Sequence, residues 1–460
     1  MMMTSLRLLC SSAFLFPLLV DCWISSLRTT DFSSSSYSNF HQIQAAQRGK
    51  ILPLLAKLKK KENEESPSDL NNGKIVELNG IHRIFVLSDI HSDHKDNQKW
   101  LHEKVEEKDF NEKDLLIIAG DISHNMEALK KSLSVLRQKS SQVLFVPGNH
   151  EAWVDRRHKP NSTSFDKLSQ VYQACFDMGV HTKSLLVRGD DSDCLHPLWI
   201  VPLESWYDGS LSFREELCRD FEHWPWVDFV RCHWTSDFPP GPIGTPEGRI
   251  PTGLTDYFLK QNEPILANNP YPSMFTPDGP DPLTAGIMTV SHFLPNLQSL
   301  PDWKDLKASE FDDAWFDHGA GGMSAKFAKV AGSSKLDDQI RTLLPSAPDD
   351  KRRLIHVFGH SHRPKDFEFK GIRYIHNPLG KPRERAMYMV SPNVDFQLVW
   401  DTSTGEVEGE KVIRLWEEQG GGLAALDKRL KTLRPKGRYN KHKGSAFNRQ
   451  TNVTAIITTQ

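Results

Sequence analysis

The chain contains no pair of cysteines separated by two residues, although it has six cysteines among its 460 residues. Structural zinc sites built on cysteine use such pairs, so the sequence argues against a cysteine zinc module. The chain also lacks a charge bias, because its formal net charge is -2. Composition therefore gives no general argument for binding to nucleic acid or to a membrane. A disulfide among Cys175, Cys194, Cys218 and Cys232 remains open, since spacing does not determine it.

The N-terminal apolar stretch, residues 8–20, is too short for a comfortable membrane span, but it fits the apolar region of a signal peptide. Residues 25–40 are rich in Ser and Thr and contain a single acid, which is typical of a transit segment. We therefore predict a targeting segment at residues 1–40. It would direct the chain to the secretory pathway or to an organelle, with the cytoplasm less favoured, and would leave no stable membrane span after processing.

Three further segments follow the predicted targeting segment. Residues 41–72 read as a linker, because a run of mixed charge leads into Ser66, Pro67 and Ser68. Residues 73–405 are predicted to form one folded domain. Residues 406–460 are predicted to be a flexible basic tail, since residues 428–449 contain nine Lys or Arg and no acid. Contact between this tail and an anionic partner such as nucleic acid is the alternative.

Apolar runs and amphipathic segments indicate an α/β fold. Short runs of Ile, Val, Leu and Phe predict strands that are buried on both faces, at residues 83–87, 115–119, 143–146, 287–290 and 354–358. Amphipathic helices are predicted at residues 97–108 and 127–139. In open α/β sheets, ligands bind beyond the carboxyl ends of the strands.

The interval 151–286 is predicted to be a loop-rich insertion, with one helix at residues 165–176 and one strand at residues 198–201. Elsewhere it is rich in Trp, Pro and Gly. Its aromatic residues either cap the site and shape substrate choice or form a packed structural insert.

Five polar motifs follow the five predicted strands. They are Asp89-Ile90-His91, Gly120-Asp121, Gly148-Asn149-His150-Glu151, Ser291-His292 and Gly359-His360-Ser361-His362. Residues two apart on an extended segment point to the same side, so Asp89 with His91, and His360 with His362, can each grip an ion together. Such oxygen and nitrogen donors without thiolate suit Mn, Fe, Zn or Co.

Two divalent ions held close together need an anionic bridge, and Asp121 is the candidate. Asn149 offers an amide oxygen to the second ion. His292 is preferred over His223, His233 and His318 because it follows an apolar run. Such a centre suits phosphoester hydrolysis, in which ions about 3.5–4 Å apart bind phosphoryl oxygens and lower the pKa of a shared water. His150, which is not needed as a ligand, is placed to protonate the leaving group.

The five motifs resemble those of the calcineurin-like metallophosphoesterase family, whose pattern is DxH, GD, GNH[DE], a later His and GHxH. The resemblance covers roughly residues 81–400 and implies a four-layer fold, a β-sandwich flanked by helices, with a dinuclear metal site at the carboxyl ends of strands. It implies one site from Asp89, His91, Asp121 and His362, and a second from Asp121, Asn149, His292 and His360. Residues 372–375 and 378–385 are similar to the corresponding segments of a subgroup of uncharacterised family members, and this similarity does not indicate a substrate.

We therefore expect a metal-dependent hydrolase of phosphomonoesters or phosphodiesters, acting on a small molecule, a nucleotide or a phosphoprotein. A non-catalytic scaffold with the same fold is one alternative, but the presence of His150 and of every ligand position favours the enzyme. A nuclease, suggested only by the basic tail, is another. Arg363 and Arg383 could neutralise a substrate phosphate, although ordinary pairing would also explain them. The role of His376 is open.

Overall fold

The structure is a computed structural model that describes residues 74–139, 142–156, 160–190, 196–245, 248–271, 285–316, 322–344 and 352–415. The predicted targeting segment, the predicted linker and the tail from residue 416 onwards lie outside the described residues. Cys194 also lies outside them, while Cys175, Cys218 and Cys232 are free thiols.

Two sheets contain the twelve strands of the described residues. The strands are β1 (Val76–Leu78), β2 (Arg83–Leu87), β3 (Asp114–Ala119), β4 (Gln142–Val146), β5 (Leu185–Val187), β6 (Leu198–Pro202), β7 (Gly286–Val290), β8 (Arg353–Val357), β9 (Lys365–Phe369), β10 (Ile372–His376), β11 (Gln397–Asp401) and β12 (Gly405–Glu406). One sheet has the order β1-β5-β6-β7-β8-β10-β9 and the other β12-β11-β2-β3-β4. The strands β6, β7, β8 and β10 run parallel, as do β2, β3 and β4.

Helices cover the outer faces of both sheets. The α-helices of the described residues are α1 (Lys95–Glu107), α2 (Met126–Lys139), α3 (Ser164–Asp177), α4 (Asp228–Arg231), α5 (Leu254–Ala267), α6 (Gly322–Ala331), α7 (Ser334–Arg341) and α8 (Pro382–Ala386). The apolar faces of α1, α2 and α3 pack on the five-stranded sheet. Those of α5, α6 and α7 pack on the seven-stranded sheet. The molecule therefore has the predicted four layers.

Alternation along the strands explains why the apolar runs are continuous. In β2, Ile84 and Val86 point into the core between the sheets, whereas Phe85 and Leu87 pack against helices. The same alternation places Ile117 between the sheets and Ile118 under the helices. Because successive side chains point to opposite faces, a strand covered on both sides needs apolar residues at every position. The predicted β-sandwich with flanking helices is confirmed.

The folded body extends past the predicted domain end at residue 405. Val407 and Val412 form backbone hydrogen bonds with Val399 and Asp366. Arg414 is buried, and its guanidinium donates to the carbonyl of Trp315 at 2.8 Å. Residues 406–415 thus belong to the fold rather than to a free tail. None of the helices in the described part of the chain combines the length and the apolar character needed to cross a bilayer.

Candidate metal centre

Loops from both sheets converge on one buried cluster of polar side chains. Those after β2, β3 and β4 come from one sheet, and those after β7 and β8 from the other. The Asp89 amide donates to the Gly120 carbonyl at 3.1 Å, and the Gly359 amide donates to the His292 carbonyl at 2.9 Å. These bonds hold the loops in register. Every predicted site residue is buried there: Asp89, His91, Asp121, Asn149, His150, His292, His360 and His362.

The backbone of these loops differs from the extended geometry that the spacing predicts. Asp89, His91, Asp121, His360 and His362 all have positive φ angles, between 45° and 76°. The extended prediction was therefore wrong for both paired motifs. A left-handed backbone costs an L-residue roughly 1–2 kcal/mol, although Asp and His adopt it more readily than most residues. Such strain clusters at functional sites, where the surrounding fold imposes it.

Gly120 and Gly148 allow the loops to approach each other closely. A Cβ atom on Gly120, whose φ is +84°, would lie 2.1 Å from His292 Nδ1. A Cβ atom on Gly148 would lie 2.3 Å from Asp121 Oδ1. Both distances are far inside van der Waals contact. The two motif glycines are therefore required by the space that the site residues occupy.

The substitution Gly120→Ala is expected to displace His292 and so to weaken metal binding at the second predicted site. A matched control is Gly244→Ala, because Gly244 also has a positive φ, +83°, but a Cβ atom there would meet nothing within 4 Å. Both variants should lose roughly 1–2 kcal/mol of unfolding free energy from the left-handed backbone. Only Gly120→Ala should also lose bound metal, as measured by elemental analysis after dialysis. Equal metal content in the two variants would contradict this account.

The structure brings the four residues of the first predicted ligand set together. The ligand atoms of Asp89, His91, Asp121 and His362 all lie within 4.8 Å of one another. The Nε2 atoms of His91 and His362 are 2.7 Å apart, and His362 Nε2 is 3.5 Å from Asp89 Oδ1. His91 Nε2 lies 3.9 Å from Asp121 Oδ2. Two imidazole nitrogens and two carboxylates thus face one point.

The second predicted set forms beside the first. His292 Nε2 lies 3.1 Å from Asn149 Oδ1 and 3.4 Å from Asp121 Oδ1. His360 Nδ1 lies 3.1 Å from the same Asn149 oxygen. Asp121 therefore presents Oδ2 to the first set and Oδ1 to the second. A carboxylate in this position can bridge two ions.

Hydrogen bonds behind three histidines fix which nitrogen faces the centre. His292 Nδ1 lies 3.0 Å from the Ala119 carbonyl, and His360 Nε2 lies 3.0 Å from the Val330 carbonyl. His362 Nδ1 lies 2.9 Å from a Glu384 oxygen. Carbonyls and carboxylates only accept, so each of these nitrogens carries the proton and the other keeps its lone pair for a ligand. Burial lowers the pKa of His292 to about 4, which keeps that ring neutral.

Hydrogen bonds from neighbouring side chains keep the Asp89 carboxylate ionised. Burial by itself raises the pKa of Asp89, but the hydrogen bond from His376 and the nearby imidazoles outweigh it, and the net pKa lies well below the usual range. His376 Nε2 is 3.0 Å from Asp89 Oδ2, and the Ser88 hydroxyl donates to the same oxygen. His376, whose role the sequence left open, orients a predicted ligand.

The buried carboxyl groups of Asp121 and Glu151 explain why positive ions would stabilise this cluster. Burial, followed by the charges of Glu151 and Asp89, raises the pKa of Asp121 well above its usual range. Burial raises the pKa of Glu151 to about 7, although this carboxylate accepts from the amides of Asp121, Ser123 and Gly148. Buried carboxylates that repel each other are stabilised by positive ions. Together with neutral imidazoles and an amide oxygen, they fit divalent metals.

His150 lies at the edge of the cluster, and a neighbouring aromatic side chain restrains its ring. Its Nε2 is 3.6 Å from Asp121 Oδ2, and its ring stacks on Trp153 with centroids 3.7 Å apart. Burial lowers the pKa of His150 well below its usual value. The lowered pKa favours the neutral imidazole in this site.

An open cleft of about 1260 Å³, counting the solvent at its mouth, leads to the cluster. Trp224, Pro225 and Trp226 of the 151–286 interval form part of one wall, together with Met323 and Phe327 of α6. Other aromatic residues of the interval, such as Trp206 and Phe258, pack into a buried cluster. The interval therefore both packs as a structural insert and lines the cleft.

The sequence assigns no role at the centre to several polar side chains that the fold places there. Glu384 holds His362, and Asp228 accepts from the Asn149 amide at 2.8 Å. Both are far from their partners along the chain, so no spacing rule points to them.

His94 and His124 lie at the periphery of the centre and are partly exposed. Three other histidines were weighed against His292 as the ligand. Among the described residues, His223 and His233 do not reach the centre, and His318 lies outside the described residues.

Comparison with known proteins agrees with this geometry. A protein-family model described as calcineurin-like phosphoesterase matches residues 82–238. The curated protein [acyl-carrier-protein] phosphodiesterase PptH of Mycobacterium tuberculosis is 31% identical over 101 residues, which are 22% of this chain and 30% of that protein. The aligned stretch thus spans less than a third of that relative's length.

Solved structures of low sequence identity also match. The crystal structure of phosphopantetheinyl hydrolase (PptH) from Mycobacterium tuberculosis has a TM-score of 0.47 at 20% identity, covering 70% of this chain and 96% of the other. A putative 5'-nucleotidase from Staphylococcus aureus has a TM-score of 0.26 at 11% identity, covering 76% and 58%. In its motifs and its two-sheet architecture the chain resembles the calcineurin-like phosphoesterase family, whose model matches residues 82–238.

Proposed function

We propose that the chain hydrolyses phosphoesters with two divalent ions held by the two ligand sets. The observation that carries the proposal is the Asp121 carboxylate, whose oxygens face separate sets of donors. The first set would consist of Asp89, His91, Asp121 and His362, and the second of Asp121, Asn149, His292 and His360. Ions bound there would polarise the phosphoryl oxygens and lower the pKa of a shared water. Mn, Fe, Zn and Co all remain candidates.

His150 is proposed as the proton donor to the leaving group. Its Nε2 faces the side of the centre where Asp121 lies, and stacking on Trp153 limits rotation of the ring. The ring is neutral in the unliganded site, because burial lowers its pKa. A phosphoryl group carries negative charge, which favours the protonated imidazole once substrate is bound. His150 would then hold a proton beside the departing oxygen.

Among ester classes, we favour a phosphodiester. The similarity to a protein named [acyl-carrier-protein] phosphodiesterase supports this choice. The cleft also supports it, since its wall of Trp224, Trp226 and Phe327 offers apolar surface for a substituent beyond the phosphorus. A diester that joins a protein to a small phosphorylated group is thus the first substrate class to test. A phosphomonoester is the second.

The two other functions considered from the sequence have less support. A non-catalytic scaffold would not need His150 and seven ligand positions to converge in one buried cluster. The nuclease hypothesis rests on basic residues beyond position 415, which lie outside the described residues. It stays a prediction, tested by hydrolysis of DNA or RNA and by the salt dependence of that activity.

The test of the proposed function is a substrate panel on the full chain loaded with each candidate metal. The panel contains a generic monoester, a generic diester, nucleotides, a phosphoprotein and a phosphopantetheinylated carrier protein. We expect metal-dependent turnover that chelation abolishes, with the diesters ahead of the monoester. Confirmed metal binding without turnover on any member would contradict a general phosphoester hydrolase.

Arg363 is proposed to contact the substrate phosphate. It lines the cleft, and its guanidinium donates to the His362 carbonyl and to Met389 Sδ. Within the described ranges no carboxylate lies at ion-pair distance from it. Hydrogen bonds to charged groups contribute about 1.5–3 kcal/mol, so Arg363→Gln should raise KM and the inhibition constant of inorganic phosphate by about 10-fold or more.

The matched control for Arg363 is Arg383→Gln. Arg383 lies 20 positions further along, is exposed and does not line the cleft. It should leave both constants unchanged within about twofold, because exposed charges contribute little. If the two variants show the same KM and the same inhibition by phosphate, Arg363 does not bind the phosphoryl group.

A further inference from the structure

Asp228 is a buried carboxylate that gathers hydrogen bonds from side chains around the second ligand set. It is the first residue of α4, inside the 151–286 interval, and is 2% exposed. Asn149 Nδ2 donates to its Oδ1 at 2.8 Å, and Trp153 Nε1 donates to the same oxygen at 2.6 Å. Trp226 Nε1 donates to its Oδ2 at 3.0 Å. The Tyr207 hydroxyl is a further hydrogen-bond partner.

The first consequence concerns the Asn149 amide, which has an oxygen at one end and an NH₂ group at the other. A carboxylate only accepts hydrogen bonds, so the NH₂ group must face Asp228. The oxygen is then turned towards His292 Nε2 and His360 Nδ1, each 3.1 Å away. Only in this orientation does Asn149 turn its oxygen, the atom that can bind a metal ion, towards the other members of the second ligand set.

The opposite orientation would be favourable without Asp228. His292 Nε2 and His360 Nδ1 both carry lone pairs, because their other nitrogens donate to the carbonyls of Ala119 and Val330. A flipped Asn149 could donate its NH₂ group to these two lone pairs and occupy the ion's place. Asp228 removes that alternative, since the flip would set the amide oxygen against a carboxylate.

The second consequence concerns the proposed proton donor. Trp153 stacks on His150 with an interplanar angle of 29°, and its indole nitrogen is anchored on Asp228. The same carboxylate therefore holds a ligand of the second set and the ring that supports His150. Asp228 lies in the 151–286 interval, 77 positions beyond the motif that ends at Glu151, so the insertion contributes to the centre itself.

We propose that Asp228 is the positioning residue of the second metal site: it selects the amide orientation in which Asn149 presents its oxygen, and it anchors Trp153 behind His150. This inference rests on the proposed two-metal function, but it makes its own claim about metal affinity. Residues that hold a metal ligand from behind typically change metal affinity by about 10–100-fold when they are replaced.

The test compares Asp228→Asn with the wild type by equilibrium dialysis of the full chain against Mn, with metal counted per chain. Circular dichroism and thermal melting report whether each variant folds. We expect wild-type chain to bind two ions and Asp228→Asn to bind the second about 10–100-fold more weakly, with the first little changed. The control is Tyr207→Phe, which removes a hydrogen bond to the same carboxylate without touching Asn149. It should keep the affinity for the second ion within about twofold.

A reversed pair distinguishes orientation from general structural damage. In the double variant Asn149→Asp with Asp228→Asn, the donor and the acceptor exchange places, so the carboxylate at position 149 is again held from behind. The NH₂ group introduced at position 228 also faces Trp153 Nε1, which loses its acceptor, so metal content and not turnover is the readout. Recovery of the second ion in this variant supports the proposal. If Asp228→Asn alone does not fold, the double variant provides the test of the proposal. A double variant that recovers neither the fold nor the second ion contradicts the proposal.

The outcomes separate this inference from the proposed function. Equal affinity for the second ion in folded Asp228→Asn and in wild type overturns the role of Asp228 and leaves the hydrolase proposal intact. The same loss of the second ion in Tyr207→Phe and Asp228→Asn also overturns it, because the effect would then be structural. Two ions in wild type without any turnover overturn the hydrolase proposal alone. A wild-type chain that binds fewer than two ions overturns both.

Discussion

Replacing Asp121 by Asn is expected to remove the second metal ion and to abolish hydrolysis. Asp121 Oδ2 lies 3.9 Å from His91 Nε2 and Asp121 Oδ1 lies 3.4 Å from His292 Nε2, so both oxygens are needed to serve both sites. The amide removes one negative charge and replaces one oxygen by a group that cannot bind a cation. The loss of affinity should exceed the 10–100-fold that residues behind a ligand typically contribute. Metal content per chain after dialysis measures it.

The control for Asp121→Asn is Asp114→Asn, because Asp114 begins β3 whereas Asp121 follows the carboxyl end of that strand. Asp114 is also fully buried, and it pairs with Arg83 at 2.8 Å, far from the metal centre. Breaking this pair should lower the unfolding free energy, because Arg83 loses its ionic partner, but it should leave the metal content unchanged. Two tightly bound ions in Asp121→Asn would show that this carboxylate does not bridge the sites.

Replacing His150 by Ala is expected to lower kcat by about 100-fold or more while both ions stay bound, which is the usual range for loss of a general acid. His150 is absent from both proposed ligand sets, so metal content should match the wild type. The loss should be largest for alkyl esters, whose leaving oxygen needs a proton. It should be much smaller for a nitrophenyl ester, whose leaving group departs without one. Steady-state rates on the two esters provide the comparison.

His124→Ala is the matched control for His150→Ala. The His124 ring centroid lies 6.3 Å from that of His150, and its side chain is 31% exposed. It should leave kcat for both esters within a few-fold of wild type. An equal loss on both esters in His150→Ala, or an unchanged rate, would refute the role of His150 as proton donor.

The fold was predictable where strands are covered on both faces. The run 83–87 reads as buried because β2 lies between the sandwich core and the helices, and the same holds for β3 and β4. The strand β9 carries the sequence Lys-Asp-Phe-Glu-Phe at a sheet edge, and its polar residues hide it from a search for apolar runs. The strands β1 and β5 have three residues each, too short to stand out.

The site was predictable where its residues are close in sequence, and less so where the fold brings distant residues together. The motifs place Asp89, Asp121 and His360 directly after buried strands, so parallel strands carry them to a common edge. Asp228 and Asn149 are 79 positions apart. No local pattern links them, because only the packing of the insertion creates the contact. The left-handed backbone also escaped prediction, since a spacing of two residues suits an extended segment equally well.

The most direct test of the two-metal account is to measure metal stoichiometry and turnover on one sample. The full chain is loaded with Mn, dialysed and divided between elemental analysis and assays on a generic diester and a generic monoester, beside Asp121→Asn prepared in the same way. We expect two ions per wild-type chain and hydrolysis that chelator abolishes, and we expect Asp121→Asn to lose both properties. A wild-type chain that hydrolyses the esters equally well with one ion or with none would contradict it.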